Sequence, residues 1–267
     1  MRTTIDSYKA RAGRLSLEGI NFDDFKDQPL PAAALRSLRY MHDVEHHTVC
    51  YLRDLLLTPA HRDPEITSFL SCWVFEEMWH GEAIAQVLQA HGEQAGASRI
   101  AALRVHHRRR QALTTWSTIA SAACAGRTFI ALQMTWGAIN EWTTQAGYGR
   151  LAAATGHPTL RELLGRIMKQ EGGHIDFYAA EAGRRLSESA RAQRVTRFFL
   201  KHSWRPVGSG LMPKQEVDFM VGYLFDGPEG SAVAERIDRR VDRLPGQGDL
   251  HLLTTTVAKL PRPPIAA

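Results

Sequence analysis

The chain has 267 residues, 44% of them hydrophobic and 23% charged, which is enough apolar content for a sizeable core. A formal charge of +5 suits an acidic partner but falls well short of a nucleic-acid footprint. Three isolated cysteines (Cys50, Cys72, Cys124), no apolar leader in MRTTIDSYKARAG and no run of about 20 apolar residues lead to the expectation of a cytoplasmic protein without disulfides or a membrane span.

Helical periodicity dominates and strand-like alternation is scarce, so the expected fold class is all-α. Residues 1–30 read as irregular with a short helix. A first long helix is expected from Pro31 to Leu57, stopped by Thr58-Pro59. A second starts behind Asp63-Pro64, with proline in the first turn, and stops at His91-Gly92. A basic connecting segment, Val105 to Gln111, precedes a third helix from about Cys124 to Ala154. A fourth starts at His157-Pro158 and runs into the 180s. These four form the expected core bundle, within residues 1–200. Residues 201–267 read as a helical extension packed on it, with the tail LPRPPIAA extended or frayed.

The inward seams of the four helices are apolar except at a few positions. The first carries His42 and Glu45 between Leu38 and Val49; the second carries Glu77 and His80 between Trp73 and Ile84. The third carries Glu141 and Thr144 between Met134 and Tyr148; the fourth carries Glu171 and His174 between Ile167 and Tyr178. Charge in a core must be paired or bound to metal. With 15 Glu and 12 His in the chain, one ExxH is close to a chance event, and the layout is what carries weight. Glu45 precedes Glu77 by 32 positions and Glu141 precedes Glu171 by 30, so a Glu helix followed by an ExxH helix occurs twice. Two such hairpins facing each other bring four carboxylates and two imidazoles to one point, the ligand set of di-metal helical bundles. Four carboxylates balance two divalent ions, and oxygen-rich ligation with two imidazoles suits iron, or manganese.

At these residues the chain resembles the ferritin-like di-iron carboxylate superfamily, and within it the acyl-carrier-protein desaturases. The segment E76-E77-M-W-H80-G81-E82 is similar to that family's EExxHG, and the run ending Q170-E171-G-G-H174 matches its last ligand helix in position. The resemblance covers roughly Ala32 to Arg185. It implies a ferritin-like four-helix bundle with peripheral helices and two iron ions held by Glu45, Glu77, His80, Glu141, Glu171 and His174. It also implies a catalytic role for Thr144 beside the oxygen site. The implied activity is O2-dependent desaturation, or hydroxylation, of an acyl chain on acyl carrier protein. The implied partners are a ferredoxin-type electron donor and a second copy of the chain in a homodimer. Gln170 and Gly173 stand where the family carries an aspartate and a basic residue, a departure in the support of the histidines.

Other readings of the same residues are a ferroxidase or iron-storage protein, an aldehyde-deformylating oxygenase or other di-iron monooxygenase, and a metal-free helical interaction protein. Arylamine N-oxygenases carry an extra histidine where this chain has Ile167. Ribonucleotide reductase small subunits carry a radical tyrosine where it has Ile84. His42, His46 and His47 are expected to be non-ligands, and Glu76 and Glu82 to support the site or face solvent. The aromatic residues read mainly as core, with Gly137 and Ala138 leaving space for an apolar chain beside Glu141. The run H106-H107-R108-R109-R110 is a candidate docking face for an acidic carrier, as is the set Arg236, Arg239, Arg240 and Arg243.

Overall fold

A computed structural model describes residues 5–260; the expected frayed tail lies outside them from Pro261 on. Among the described residues the chain is helical with no strand. Two short N-terminal helices, α1 (Ile5–Lys9) and α2 (Asp24–Asp27), precede α3 (Ala32–Glu45), α4 (Thr48–Leu56) and α5 (Pro64–Ala90). Then follow α6 (Ala97–His106), α7 (Arg108–Ala125), α8 (Phe129–Thr155), α9 (Pro158–Ser187) and α10 (Ala190–Ser203). The C-terminal part holds α11 (Lys214–Phe225), α12 (Gly227–Asp242) and α13 (Leu252–Ala258). Helices α3, α5, α8 and α9 form the ferritin-like four-helix core, with α3 packed on α5 and α8 on α9.

Local chemistry sets the ends of these helices. The Asp63 carboxylate accepts hydrogen bonds from the Glu65 and Ile66 amides while Pro64 takes the first turn, so α5 starts as the sequence predicts. Gly156, at φ +63°, ends α8 in the left-handed region; His157 then caps α9 through Nδ1, which accepts from the Leu160 amide. Between α8 and α9 the packing is close: Gly137 lies under the Tyr178 ring, and an added Cβ there would come within 2.3 Å of it. Phe69 stacks on Phe177 at 4.0 Å and meets Tyr178 edge-on at 4.7 Å, closing one end of the bundle interior.

Three boundaries differ from expectation. The first long helix is two helices, α3 and α4, broken at His46-His47, where the His47 amide bonds Val44 O and the Thr48 hydroxyl donates to Glu45 O. Past the break the expected seam fails: Val49 and Leu56 are 37% and 42% exposed. The basic connecting segment is itself helical, divided between α6 and α7. Helix α8 begins at Phe129, five residues later than expected, because Gly126 at φ +56° ends α7 first. The C-terminal helices lie on the bundle: α11 touches α3 and α8, and α12 touches α8. No helix among the described residues is long and apolar enough to cross a membrane.

Candidate metal centre

The six expected ligand residues arrive from four helices and meet in the bundle interior. Glu45 closes α3, Glu77 and His80 lie one turn apart on α5, Glu141 is mid-α8, and Glu171 and His174 share a turn of α9. All six are buried, none more than 6% exposed. They form two quartets, Glu45–Glu77–His80–Glu171 and Glu77–Glu141–Glu171–His174, whose ligand atoms lie within 4.8 Å of one another. Glu77 and Glu171 belong to both. Each quartet adds one further carboxylate and one imidazole, so the arrangement could hold two adjacent cations with Glu77 and Glu171 common to both groups.

Both histidines turn Nδ1 inward. His80 Nδ1 is 3.4 Å from Glu77 and 3.4 Å from Glu171; His174 Nδ1 is 2.9 Å from Glu171 and 3.2 Å from Glu77. Their outward nitrogens are held across the bundle. Gln170 Oε1 takes His80 Nε2 at 3.0 Å, and Glu76 Oε2 takes His174 Nε2 at 3.0 Å. The residue before each shared glutamate thus supports the histidine of the opposite helix. Gln170, which the sequence marked as a departure, fills the supporting position with an amide. Its Nε2 is anchored on Gly13 O at 2.9 Å, and Tyr8 donates to Glu76 at 2.6 Å, so the N-terminal segment braces both supports.

Two more side chains grip the carboxylates. Trp73 Nε1 donates to Glu141 Oε1 at 2.9 Å, and Tyr148 of α8 donates its hydroxyl to Glu45 Oε1. Both sit on the predicted seams, where they read as packing. Nothing local in the sequence marks a seam aromatic whose polar tip reaches a carboxylate on another helix.

Electrostatics fit a cation pair. Burial, with the Glu77 charge nearby, pushes the Glu45 carboxyl well above its ordinary range; burial, with Glu171 and Glu77, does the same to Glu141. Burial opposes charge at Glu77 and Glu171 too, but the hydrogen bond from Glu45 at Glu77, and the hydrogen bonds and positive charge of the histidines at both, outweigh it and hold both low. His80 would be lowered by burial, yet Glu171 and Glu77 raise it to about 9, and His174 is raised well above its usual value by the same kind of partners. Protons therefore balance this charge when no metal does. His80 Nδ1 and Glu171 Oε1 are buried without a hydrogen-bond partner and point into the quartets. Such orphaned atoms are what metal ligation satisfies, so the donor set fits two divalent ions of the iron or manganese kind.

His42, His46 and His47 lie outside both quartets. His42 is pinned between Asp43, at 2.9 Å, and the Gly96 amide, at 2.9 Å. The His46 ring fills the space where a Cβ at Gly81 would stand, 2.7 Å away, so the glycine after His80 is a packing requirement. Glu82 is 51% exposed and faces solvent. The space expected beside Gly137 is taken by Tyr178. An apolar cavity lies instead beside Glu45, between α3, α8 and α11, and Thr144 lines it with Val44, Gly147, Val221 and Leu224.

No family profile matches the sequence, and no curated protein matches it. Solved structures do share the fold. A variant of an R2-like ligand-binding oxidase with an aerobically reconstituted Fe/Fe cofactor aligns over 96% of this chain and 90% of its own, at TM-score 0.56 and 19% identity. Another, with an aerobically reconstituted Mn/Fe cofactor, aligns over the same shares at TM-score 0.54 and 18% identity. At this identity the likeness is one of fold; the affinity to acyl-carrier-protein desaturases rests on the motif alone.

Proposed function

We propose that the protein is an O2-dependent oxidase with two iron ions, or one manganese and one iron, that removes hydrogen from an apolar substrate. The observation that carries this reading is the pair of buried quartets sharing Glu77 and Glu171, beside an apolar cavity bounded by Glu45. When bound, the metal pair supplies the activation of O2. The chain's own residues do the rest. Glu76 and Gln170 fix which imidazole nitrogen faces inward, Trp73 holds Glu141, and Tyr148 keeps a proton on its oxygen against Glu45. The apolar walls exclude water from the reacting end of the substrate. Thr144, half-buried in the cavity wall that Glu45 also lines, positions the substrate or passes a proton of the kind that O2 reduction consumes. The fold is shared with proteins described as ligand-binding oxidases, which supports a substrate held next to the metals.

The specific form of the proposal is desaturation of an acyl chain on an acidic carrier, with the exposed His106, Arg108 and Arg109 as the carrier's contact. The free volume of the cavity, about 60 Å³, is that of roughly two waters. Loading the protein anaerobically with ferrous iron and admitting O2 tests the reading. An O2-dependent visible absorption and about two metal ions per chain are expected; a spectrum indifferent to O2 would sink it.

A further inference from the structure

On the far side of the ligand helices, where α12 packs on α8, the surface holds a groove of about 480 Å³ lined by α8, α9 and α12. Its floor includes Trp142, Gly172 and Ile175; its rim carries Arg240, Arg243 and Asp176. Trp142 directly follows Glu141 and Gly172 directly follows Glu171, so on two helices the floor is one residue removed from the metal quartets. Arg240 and Arg243 are exposed, and among the described residues neither has a carboxylate partner; Arg240 stands over the Trp142 ring, 5.9 Å from its centre. Gly172 costs α9 stability, yet a Cβ there would meet nothing within 4 Å. The site gives up helix stability for bare backbone at this point, although packing does not demand it.

We propose that this groove is the docking site of the electron donor, a small acidic one-electron carrier of the ferredoxin type. The inference rests on the oxidase reading. Desaturation joins O2, two substrate hydrogens, two electrons and two protons into two waters, and the electrons must come from outside, one at a time. A donor needs a short, packed route to the metals. Bare backbone at Gly172 lets it approach α9 closely, and Trp142 offers an aromatic ring one backbone step from Glu141. Acidic groups around the donor's redox centre complement Arg240 and Arg243, while Asp176 restricts the orientations that fit.

The test follows reduction of the iron-loaded, O2-oxidised protein by stopped-flow absorbance under argon, using a reduced acidic [2Fe–2S] ferredoxin or methyl viologen radical. R240E/R243E should slow reduction by ferredoxin roughly tenfold or more and abolish its acceleration at low salt. R240K/R243K should keep most of the rate, and the viologen rate should be unchanged in both. Equal ferredoxin rates in wild type and R240E/R243E would overturn the proposal, as would equal loss with viologen, or a wild type that viologen reduces and ferredoxin does not. Calorimetric titration of metal-free protein with ferredoxin separates this inference from the oxidase reading. Should no O2-reactive centre form, binding that R240E/R243E abolishes still supports the docking surface, and absent or unaltered binding overturns it.

Discussion

Glu76 and Gln170 each stand one residue ahead of a shared glutamate and reach the histidine of the opposite helix. Because they set imidazole orientation without joining the quartets, their loss should weaken metal binding more than folding. E76A is expected to lower iron affinity about 10–100-fold, read by competition with a chromophoric chelator. The two glycines between Glu171 and His174 are a separate matter. A Cβ at Gly172 meets open space and one at Gly173 meets Tyr8 at 3.5 Å, an ordinary contact. G172A and G173A should each raise stability by up to about 1 kcal/mol in chemical denaturation. A loss of stability at either position would show strain that the helix geometry does not display.

At the scale of elements, the last turns of α9 are tied to the start of α5. Arg185 bonds Asp63, the α5 cap, at 2.6 Å, and both Arg184 and Arg185 reach Glu181. Burial alone would raise the Glu181 carboxyl, but Arg184 and Arg185 outweigh it and hold it below its ordinary value. A carboxylate depressed in the folded state adds stability above the unfolded pKa, about 4.3 for Glu, and that stability is lost as pH falls through the folded value. E181Q should therefore cost about 1 kcal/mol at neutral pH, trimmed by solvent at Arg184, which is 32% exposed. The gap to wild type should close in strongly acidic solution. A difference in melting temperature that persists unchanged into that range would assign the effect to packing.

For the whole molecule, the buried charge of the centre couples metal binding to stability. Without metal, protons on Glu45 and Glu141 and on the two histidines balance the site. Loading with divalent ions must displace them, so metal affinity should fall as pH falls. At a thousandfold excess of metal over its Kd, stabilisation approaches about 4 kcal/mol, visible as a rise in Tm that a chelator reverses. E171A removes a member of both quartets and should abolish that rise. It should also lower the metal-free Tm, because the protonated His174, 2.9 Å from Glu171, loses a buried partner. A metal-dependent Tm rise retained by E171A would exclude the shared-carboxylate geometry.

The sequence by itself determined the all-α class, the helices α5, α8 and α9, and the six residues that converge. Each of these follows from a short-range rule: 3.6-residue periodicity, proline and glycine punctuation, or a carboxylate on an apolar seam. It missed the break at His46-His47, because the helical pattern runs through a turn that the Thr48 hydroxyl and packing of His46 on Gly81 settle. Tertiary structure alone decided who supports whom. Glu76 reaches His174 across 98 positions and Tyr148 reaches Glu45 across 103, contacts between helices that leave no local spacing to read. The same holds for the cavity. Gly137 promised space beside Glu141, but Tyr178 fills it; the opening lies by Glu45, where α11, far along the chain, supplies the wall. Ligands lie on periodic seams and so can be read from one strand of text; cavities and second partners are set by which helix faces which, and only packing fixes that.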